Sequence, residues 1–422
     1  PDAVSRIEVL QDGAAAVYGT DAIAGAINMI LKDDSEGGSF KVTGGQYYNS
    51  EGELFSASGN VGFKLGEDGF FNLTGFHRRQ NYTSTGTGQV TMSDIDGNPY
   101  VPTAGTYPGS FGSTNNYYDP AWAGLDLNGI NGGQAKSQLN LLFYNMGYDF
   151  GGVELYSFGD VSRRVGYAKQ GYRPPNRICA STTDTSTCFG DTGTFGMVPQ
   201  QKVEQKEYSF TVGAKGEFGG GWNYDVSTTY GYDQNKIWTI ESAHRAMWIE
   251  SYTAAQNDSS ITPYTPTDAY DGGFKLSQLT NTLDIRKEFD VGMAEPLTLA
   301  FGGEYRRDTY EIVAGDFAST YKEGVQSFPG YKDVDAGKHS RSSKAGYINL
   351  IASPVEGWTI DLAGRYEDYS DFGDTTIGKI TTRYDFSDAF AIRGTASTGF
   401  RAPTLAESFY SCLLYTSPSP RD

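Results

Sequence analysis

Residues 222–233 read Trp222-Asn-Tyr-Asp-Val-Ser-Thr-Thr-Tyr-Gly-Tyr-Asp233, and their side chains alternate in character. Trp222, Tyr224, Val226, Tyr230 and Tyr232 fall on one face, with Asn223, Asp225, Ser227, Thr229 and Asp233 on the other. Successive side chains of a strand point to opposite faces, so this stretch is a β-strand with one apolar and one polar side. The segment before it repeats the pattern: Tyr208, Phe210, Val212, Ala214 and Phe218 oppose Glu207, Ser209, Thr211, Lys215 and Glu217. Further on, Leu297, Leu299, Phe301 and Tyr305 oppose Thr298, Glu304 and Arg306; Trp358, Ile360, Leu362 and Tyr366 oppose Thr359, Asp361, Arg365 and Glu367; and Phe390 and Ile392 oppose Arg393 and Thr395.

The connections between strands sort into two kinds. Tight turns are expected at Gly66–Gly69, Gly151-Gly152, Gly219–Gly221, around Pro296, at Pro354–Gly357 and at Ser387-Asp388. Long polar insertions alternate with them, at Thr83–Gly133, Gln170–Gln200, Ile240–Ser277 and Ala314–Ser340. Shorter connections near Asn49 and Asp371 occupy the places where long ones are due. About thirteen strands with consistent parity result, short turns on one rim and long loops on the other, which is the layout of an outer-membrane barrel.

A length check agrees. Ten residues from Trp222 to Tyr232 span about 33 Å of strand, and a tilt of ~40° projects this to roughly 25 Å, the apolar band of such a barrel. Phe150, Phe218, Trp222, Phe289, Trp358, Phe386 and Phe390 flank the short turns as one aromatic girdle, while Tyr232, Tyr310 and Tyr369 lie nearer the long loops.

Composition fits this reading. Only 38% of the 422 residues are hydrophobic, yet 14% are aromatic, which argues against disorder. The net charge of −18 argues against a nucleic-acid partner, because phosphate binding needs clustered Lys and Arg. No apolar run is long enough for a transmembrane helix, but barrel strands, polar on one face, escape that criterion.

The first 36 residues are different. Arg6–Leu10 reads as a strand, Gly13–Tyr18 as a helical turn, Ala22–Ala26 as a short helix capped by Asp21, and Asn28–Leu31 as a returning strand. Pro1 opens the sequence with no initiator Met or signal peptide, so the chain is expected to be cut at its start. Residues 412–422, Cys-Leu-Leu-Tyr-Thr-Ser-Pro-Ser-Pro-Arg-Asp, break from the preceding composition and are expected to be a non-native tail, the alternative being an ordinary disordered terminus.

Arg6-Ile-Glu-Val-Leu-Gln-Asp-Gly-Ala-Ala-Ala-Val-Tyr-Gly19, followed by Ala22-Ile-Ala-Gly-Ala-Ile-Asn-Met-Ile-Leu31, resembles the end of the plug domain of TonB-dependent outer-membrane receptors. Gly399-Phe-Arg-Ala-Pro-Thr-Leu-Ala-Glu407 is similar to that family's mid-to-late barrel signature. The resemblance implies a mainly β protein: a transmembrane antiparallel barrel of about 22 strands with a plugged lumen. The chain would hold the C-terminal part of an α+β plug (1–36), the first thirteen or so barrel strands (37–411) and the doubtful tail (412–422). Two unpaired barrel edges would face lipid, so this stretch alone is not expected to insert as a closed pore.

By resemblance, the protein is an energy-coupled importer in the outer membrane of a Gram-negative bacterium. Outer-membrane lipid would surround it, and the TonB–ExbB–ExbD energy-transducing complex would act through a region N-terminal to this chain. Its cargo would be a scarce small molecule, a ferric siderophore by family default, with carbohydrate or cobalamin as alternatives. A passive porin or adhesin is the rival, and the plug motif argues against both. No cofactor is implied.

No catalytic constellation or metal set is evident; His77, His244 and His339 are scattered. Asp94-Ile-Asp-Gly-Asn98 lacks the remainder of an EF-hand and reads as a polar turn. Cys179 and Cys188 flank a short polar stretch and are expected to form a disulfide in an oxidising compartment, two free thiols being the alternative. The resemblance implies ion pairs between Arg6 and Glu8 of the plug and inward barrel charges, with Glu304, Arg306, Arg365, Glu367 and Arg393 as candidates; solvation by lumen water is the alternative. Tyr117, Tyr118, Trp122, Arg173 and Trp248 in the long loops are candidates for ligand contact, although such aromatics could equally hold the loops together.

Overall fold

The computed structural model describes residues 2–11, 15–19, 22, 25–83, 133–171, 173, 175–181, 185–190 and 197–410. Near the N-terminus, β1 (Val4–Gln11) and β2 (Gly25–Leu31) form an antiparallel pair, with the short helix α1 (Ala15–Tyr18) between them. The segment expected as a second helix instead enters β2 at Gly25, where Gly25 and Ala26 pair with Gln11 and Leu10. Ladder hydrogen bonds to β1 there replace the local bonds of a helical turn.

Thirteen strands follow: β3 (Gly38–Gly45), β4 (Leu54–Leu65), β5 (Gly69–Gln80), β6 (Lys136–Asp149), β7 (Val153–Lys169), β8 (Gln200–Phe218), β9 (Trp222–Ile240), β10 (Ala269–Phe289), β11 (Glu295–Val313), β12 (Gly337–Val355), β13 (Trp358–Tyr369), β14 (Gly373–Ser387) and β15 (Phe390–Ser397). Each pairs antiparallel with its sequence neighbours in one continuous 13-stranded meander, and among the described residues the end strands β3 and β15 do not pair with each other.

Short and long connections alternate between rims, as the sequence pattern predicts. Two turns differ in detail, because Pro296 lies inside β11 and Pro354 inside β12, each beside a register irregularity. Proline donates no ladder hydrogen bond, and an irregularity is where a strand tolerates that.

The apolar face points away from the charged one along each strand. On β13, Leu362 and Tyr366 are exposed on the outside while Ala363, Arg365, Glu367 and Tyr369 are buried on the inside. At the short-turn rim the aromatic girdle is continuous enough for ring contacts between strands: Trp222 meets Phe289 edge-on at 5.8 Å and stacks with Phe218 at 6.4 Å. A second row, with Tyr208 stacked on Tyr232 at 5.1 Å, marks the other edge of the apolar band.

The strands continue well past that row. β10 has 21 residues, so at ~3.3 Å per residue and ~40° tilt it rises roughly 50 Å, about twice the apolar band. The long-loop ends of β7 to β12 therefore stand clear of the apolar zone and carry α2 (Arg245–Asn257) and α3 (Phe317–Thr320). After β15 the chain turns back over the inner face, where α4 (Leu405–Phe409) packs near β11 and β12.

Candidate functional site

The inner wall carries a buried charge cluster across β11, β12 and β13. Register places Ala345 between Glu304 and Glu367, and Ser343 between Arg306 and Tyr369. These small residues on the middle strand leave room for long side chains to meet across two strand spacings. Arg365 Nη2 lies 3.2 Å from Glu304 Oε2, Arg365 Nε 3.1 Å from Glu367 Oε2, and Arg306 Nη2 3.7 Å from Glu367 Oε1. Arg365 and Glu367 are 3% and 1% exposed, so each charge depends on its partner rather than on water.

The plug-like segment sits beside this cluster. Ala16 of α1 is buried against Ala363 and Ile377, with Val17 and Phe400 flanking. A Cβ added at Gly19 would lie 3.9 Å from Arg365 Nη2, so the chain leaving α1 passes over the guanidinium. Only small side chains allow so close an approach of helix to wall, which explains the alanine-rich sequence.

Arg6 and Glu8 are a correction. Arg6 Nε donates to Glu8 Oε1 at 2.7 Å and Asn28 Nδ2 donates to Glu8 Oε2 at 3.1 Å, all in an exposed setting. Residues two apart on a strand share a face, and β2 brings Asn28 directly opposite Glu8. Local partners thus take the place of barrel partners, while Glu304, Arg306, Arg365 and Glu367 bind one another. Arg393 is exposed on β15, opposite Arg383, and lies outside the cluster.

Above the wall, three long loops join into one body around Gln326. Arg177 Nε donates to Gln326 Oε1 at 2.8 Å, Ser242 Oγ to Gln326 O at 2.6 Å, and Gln326 N–H to Ala243 O at 2.9 Å. Cys179 and Cys188 are joined by a disulfide within the loop between β7 and β8.

Trp248 on α2 is a second correction. Its ring is buried against Ile178 and Ala243, meets Phe189 edge-on at 5.4 Å, and Nε1 donates to Thr187 O at 2.9 Å. It anchors loop to loop and offers no face to a ligand. Arg173 is half-buried, with Nη1 donating to Gly171 O at 2.8 Å. Tyr117, Tyr118 and Trp122, like Asp94–Asn98, lie outside the described residues.

Below the loops, a cavity of about 420 Å³ opens on the inner wall, lined by Arg306, Asp308, Tyr310, Arg341, Thr404 and Leu405 among others. This is within the range of small-ligand sites. The stretch Gly399–Glu407 forms one side. Thr404 caps α4 through a capping box with Glu407, Leu405 is buried with Tyr310, Ile312 and Tyr331, and Arg341 Nη1 donates to Pro403 O at 2.5 Å. Arg341 Nε also donates to both oxygens of Asp371 at 2.8 Å, tying this segment to the β13–β14 connection.

Sequence reasoning missed Arg341, although its inward parity in His339-Ser-Arg-Ser-Ser343 was available. It also missed Asp271, which a bulge on β10 turns inward. Gly272 makes the bulge possible: its φ is +99°, and a Cβ there would meet Val313 O at 2.2 Å. Thr239 Oγ1 donates to Asp271 Oδ2 at 2.7 Å, and Oδ1 has no hydrogen-bond partner. Burial pushes the carboxyl up to about 8, against the Thr239 bond and with help from Asp316.

Residues 147–420 match the family model described as TonB dependent receptor-like, beta-barrel. The chain belongs to this family. Among curated proteins, this TonB-dependent receptor chain is 22% identical over 432 residues to the ferrienterobactin receptor of Escherichia coli (strain K12), with 99% of the chain and 49% of that protein covered. Among solved structures, the siderophore receptor PirA from Acinetobacter baumannii is similar with a TM-score of 0.60 at 15% identity, over 95% of this chain and 48% of that one. A mutant ferric enterobactin receptor from Pseudomonas aeruginosa in complex with enterobactin gives 0.57 at 16%, over 95% and 50%. The receptor chain therefore spans about half the length of the relatives it matches, and these structural likenesses establish its barrel fold.

Among the described residues of the receptor chain, no group of three or more His, Cys, Asp or Glu side chains could hold a metal ion.

Proposed function

We propose that the full-length protein is an energy-coupled receptor of a Gram-negative outer membrane that imports a ferric siderophore. The observation that carries this reading is the lodging of α1 on the inner wall, with Ala16 packed on Ala363 and Ile377 beside the Arg365 cluster. A passive porin or adhesin has no need of a segment obstructing its lumen. In this reading residues 1–36 would be the end of a plug and the strands from residue 37 onward part of the barrel.

Cargo would bind on the loop side, in the recess where Arg306, Arg341 and Tyr310 face the lumen. Of the two guanidinium groups Arg306 is the more open, and a guanidinium suits an anionic chelate. The named relatives are receptors for ferric enterobactin and other siderophores, which supports this cargo class. The outer membrane offers no ATP, so the TonB–ExbB–ExbD complex would supply mechanical work to the plug.

The test is binding of a panel of ferric chelates to the full-length receptor, followed by quenching of tryptophan fluorescence, with uptake of radioactive iron in cells with and without TonB. Saturable binding of one chelate and TonB-dependent uptake are expected. Failure to bind any chelate in the panel would sink the siderophore reading.

A further inference from the structure

The chain between β2 and β3 is laid flat on the inner wall and gripped by it. Register puts Gly62 of β4, Asn72 of β5 and Asn145 of β6 in one row across three adjacent strands. Each member of the row meets the crossing chain at a different carbonyl. Asn145 Nδ2 donates to Lys32 O at 3.0 Å, Asn72 Nδ2 to Asp34 O at 3.3 Å, and the Gly62 N–H to Gly37 O at 3.0 Å. A Cβ at Gly62 would lie 2.2 Å from Asp34 O and 2.9 Å from Glu36 N, so only glycine lets the two backbones come this close.

Neighbours hold Asn72 ready for this contact. Its Oδ1 accepts from Asn60 Nδ2 at 2.6 Å, and Asn60 Nδ2 also reaches Thr74 Oγ1 at 2.8 Å. Asn60, Asn72 and Thr74 are all buried. A side chain fixed in this way loses little further freedom when it binds the crossing chain.

The grip is made of neutral amides. One ion pair accompanies it among the described residues, Lys64 Nζ to Glu36 Oε2 at 3.4 Å, and both of those side chains are exposed. Salt screens exposed charges and leaves shielded neutral hydrogen bonds nearly untouched. The seat of α1 is of another kind. Ala16 and Val17 have no polar side-chain atom and rest on Ala363 and Ile377 by apolar contact. Such contact is non-directional, whereas hydrogen bonds fix position.

We infer that Gly62, Asn72 and Asn145 form a clamp that ends the movable part of the plug: under load, residues up to 31 leave the wall while residues 32–37 stay on it. This rests on the plug reading above, but on neither the cargo nor the TonB complex. The clamp limits how much chain can be drawn out, and it gives the plug a fixed point from which to reseat.

The experiment pulls the full-length receptor, reconstituted in a lipid bilayer, from its N-terminus with an atomic force microscope. The chain length released before each rupture is the readout. In the parent the last plug barrier should stand at Lys32. Asn72→Ala combined with Asn145→Ala should move it to Gly38, where β3 enters the sheet, releasing about 20 Å more chain at ~3.4 Å per residue. Lys64→Gln, and the parent at high salt, should keep the barrier at Lys32. A parent whose last barrier already stands at Gly38, a double variant whose barrier does not move, or a barrier lost in Lys64→Gln or at high salt each overturns the proposal. The parent trace decides by itself even if the double variant fails to fold. Release of residues 1–31 only together with the barrel strands would instead overturn the plug reading, and the clamp with it. No chelate enters the measurement, so a failed cargo panel leaves its result standing.

Discussion

Arg365 and Glu367 sit two positions apart on the inner face of β13, guanidinium Nε 3.1 Å from carboxylate Oε2, and both are almost wholly buried. Glu304 and Arg306 extend the pair across the gap left by Ala345 and Ser343. Removing one member of such a group leaves the others as uncompensated buried charge, which outweighs the worth of the pair itself.

Arg365→Ala should therefore destabilise the folded full-length receptor by about 3–5 kcal/mol. Glu367→Gln added to it should restore part of that loss by removing a stranded charge. Urea unfolding of the parent and the two variants measures both effects. Equal stability of Arg365→Ala and the parent would show that water, rather than the pair, supports these charges.

Trp248 joins the loop between β9 and β10 to the loop between β7 and β8. Trp248→Ala should cost the loop body about 3–5 kcal/mol of local stability, whereas Trp248→Phe keeps most of the packing and loses chiefly the bond to Thr187 O, worth about 1 kcal/mol. Hydrogen exchange of the α2 amides gives the ranking, with Ala far faster than Phe. Indistinguishable exchange in the two variants would contradict the anchoring role.

The Cys179–Cys188 bridge closes a short loop, with the two residues nine apart in sequence. The chain-entropy treatment gives about 2–3 kcal/mol for a loop of this size. Iodoacetamide should label neither cysteine until a reductant is added, and Cys188→Ser should speed exchange around Ile178 and Phe189. Labelling of both thiols in the unreduced receptor would show the bridge to be absent.

Asp271 lies at the loop end of β10, far above the apolar band, with its carboxyl raised to about 8 by burial. The folded state then holds a proton between roughly pH 4 and 8 that the unfolded state releases, so stability is greatest below that window and falls as pH rises through it. Asp271→Asn keeps an acceptor for Thr239 and has no proton to lose, so it should flatten the profile. Loop-region hydrogen exchange, corrected for intrinsic rates and compared at pH 5 and pH 8, is the check. A slope that persists in Asp271→Asn assigns it to another group.

The period of two, read at Trp222–Asp233, was enough to determine the strands, the face each residue takes and the alternation of short turns with long loops, because these depend on local geometry and on which side meets lipid. Exposure of Leu362 beside burial of Ala363 and Arg365 follows from that parity alone. Parity says which way a side chain points, but not how far along the neighbouring strand its partner sits. Tertiary structure decided that Arg365 meets Glu304 while Arg6 stays with Glu8, because register set one distance and a local strand pair satisfied the other. It also turned Trp248 from a candidate ligand platform into an anchor, since loops fold on one another by contacts far apart in the chain. The helix expected at Ala22–Ala26 gave way at Gly25 and Ala26 for the same reason: pairing with β1 supplied backbone bonds that local preference could not outweigh.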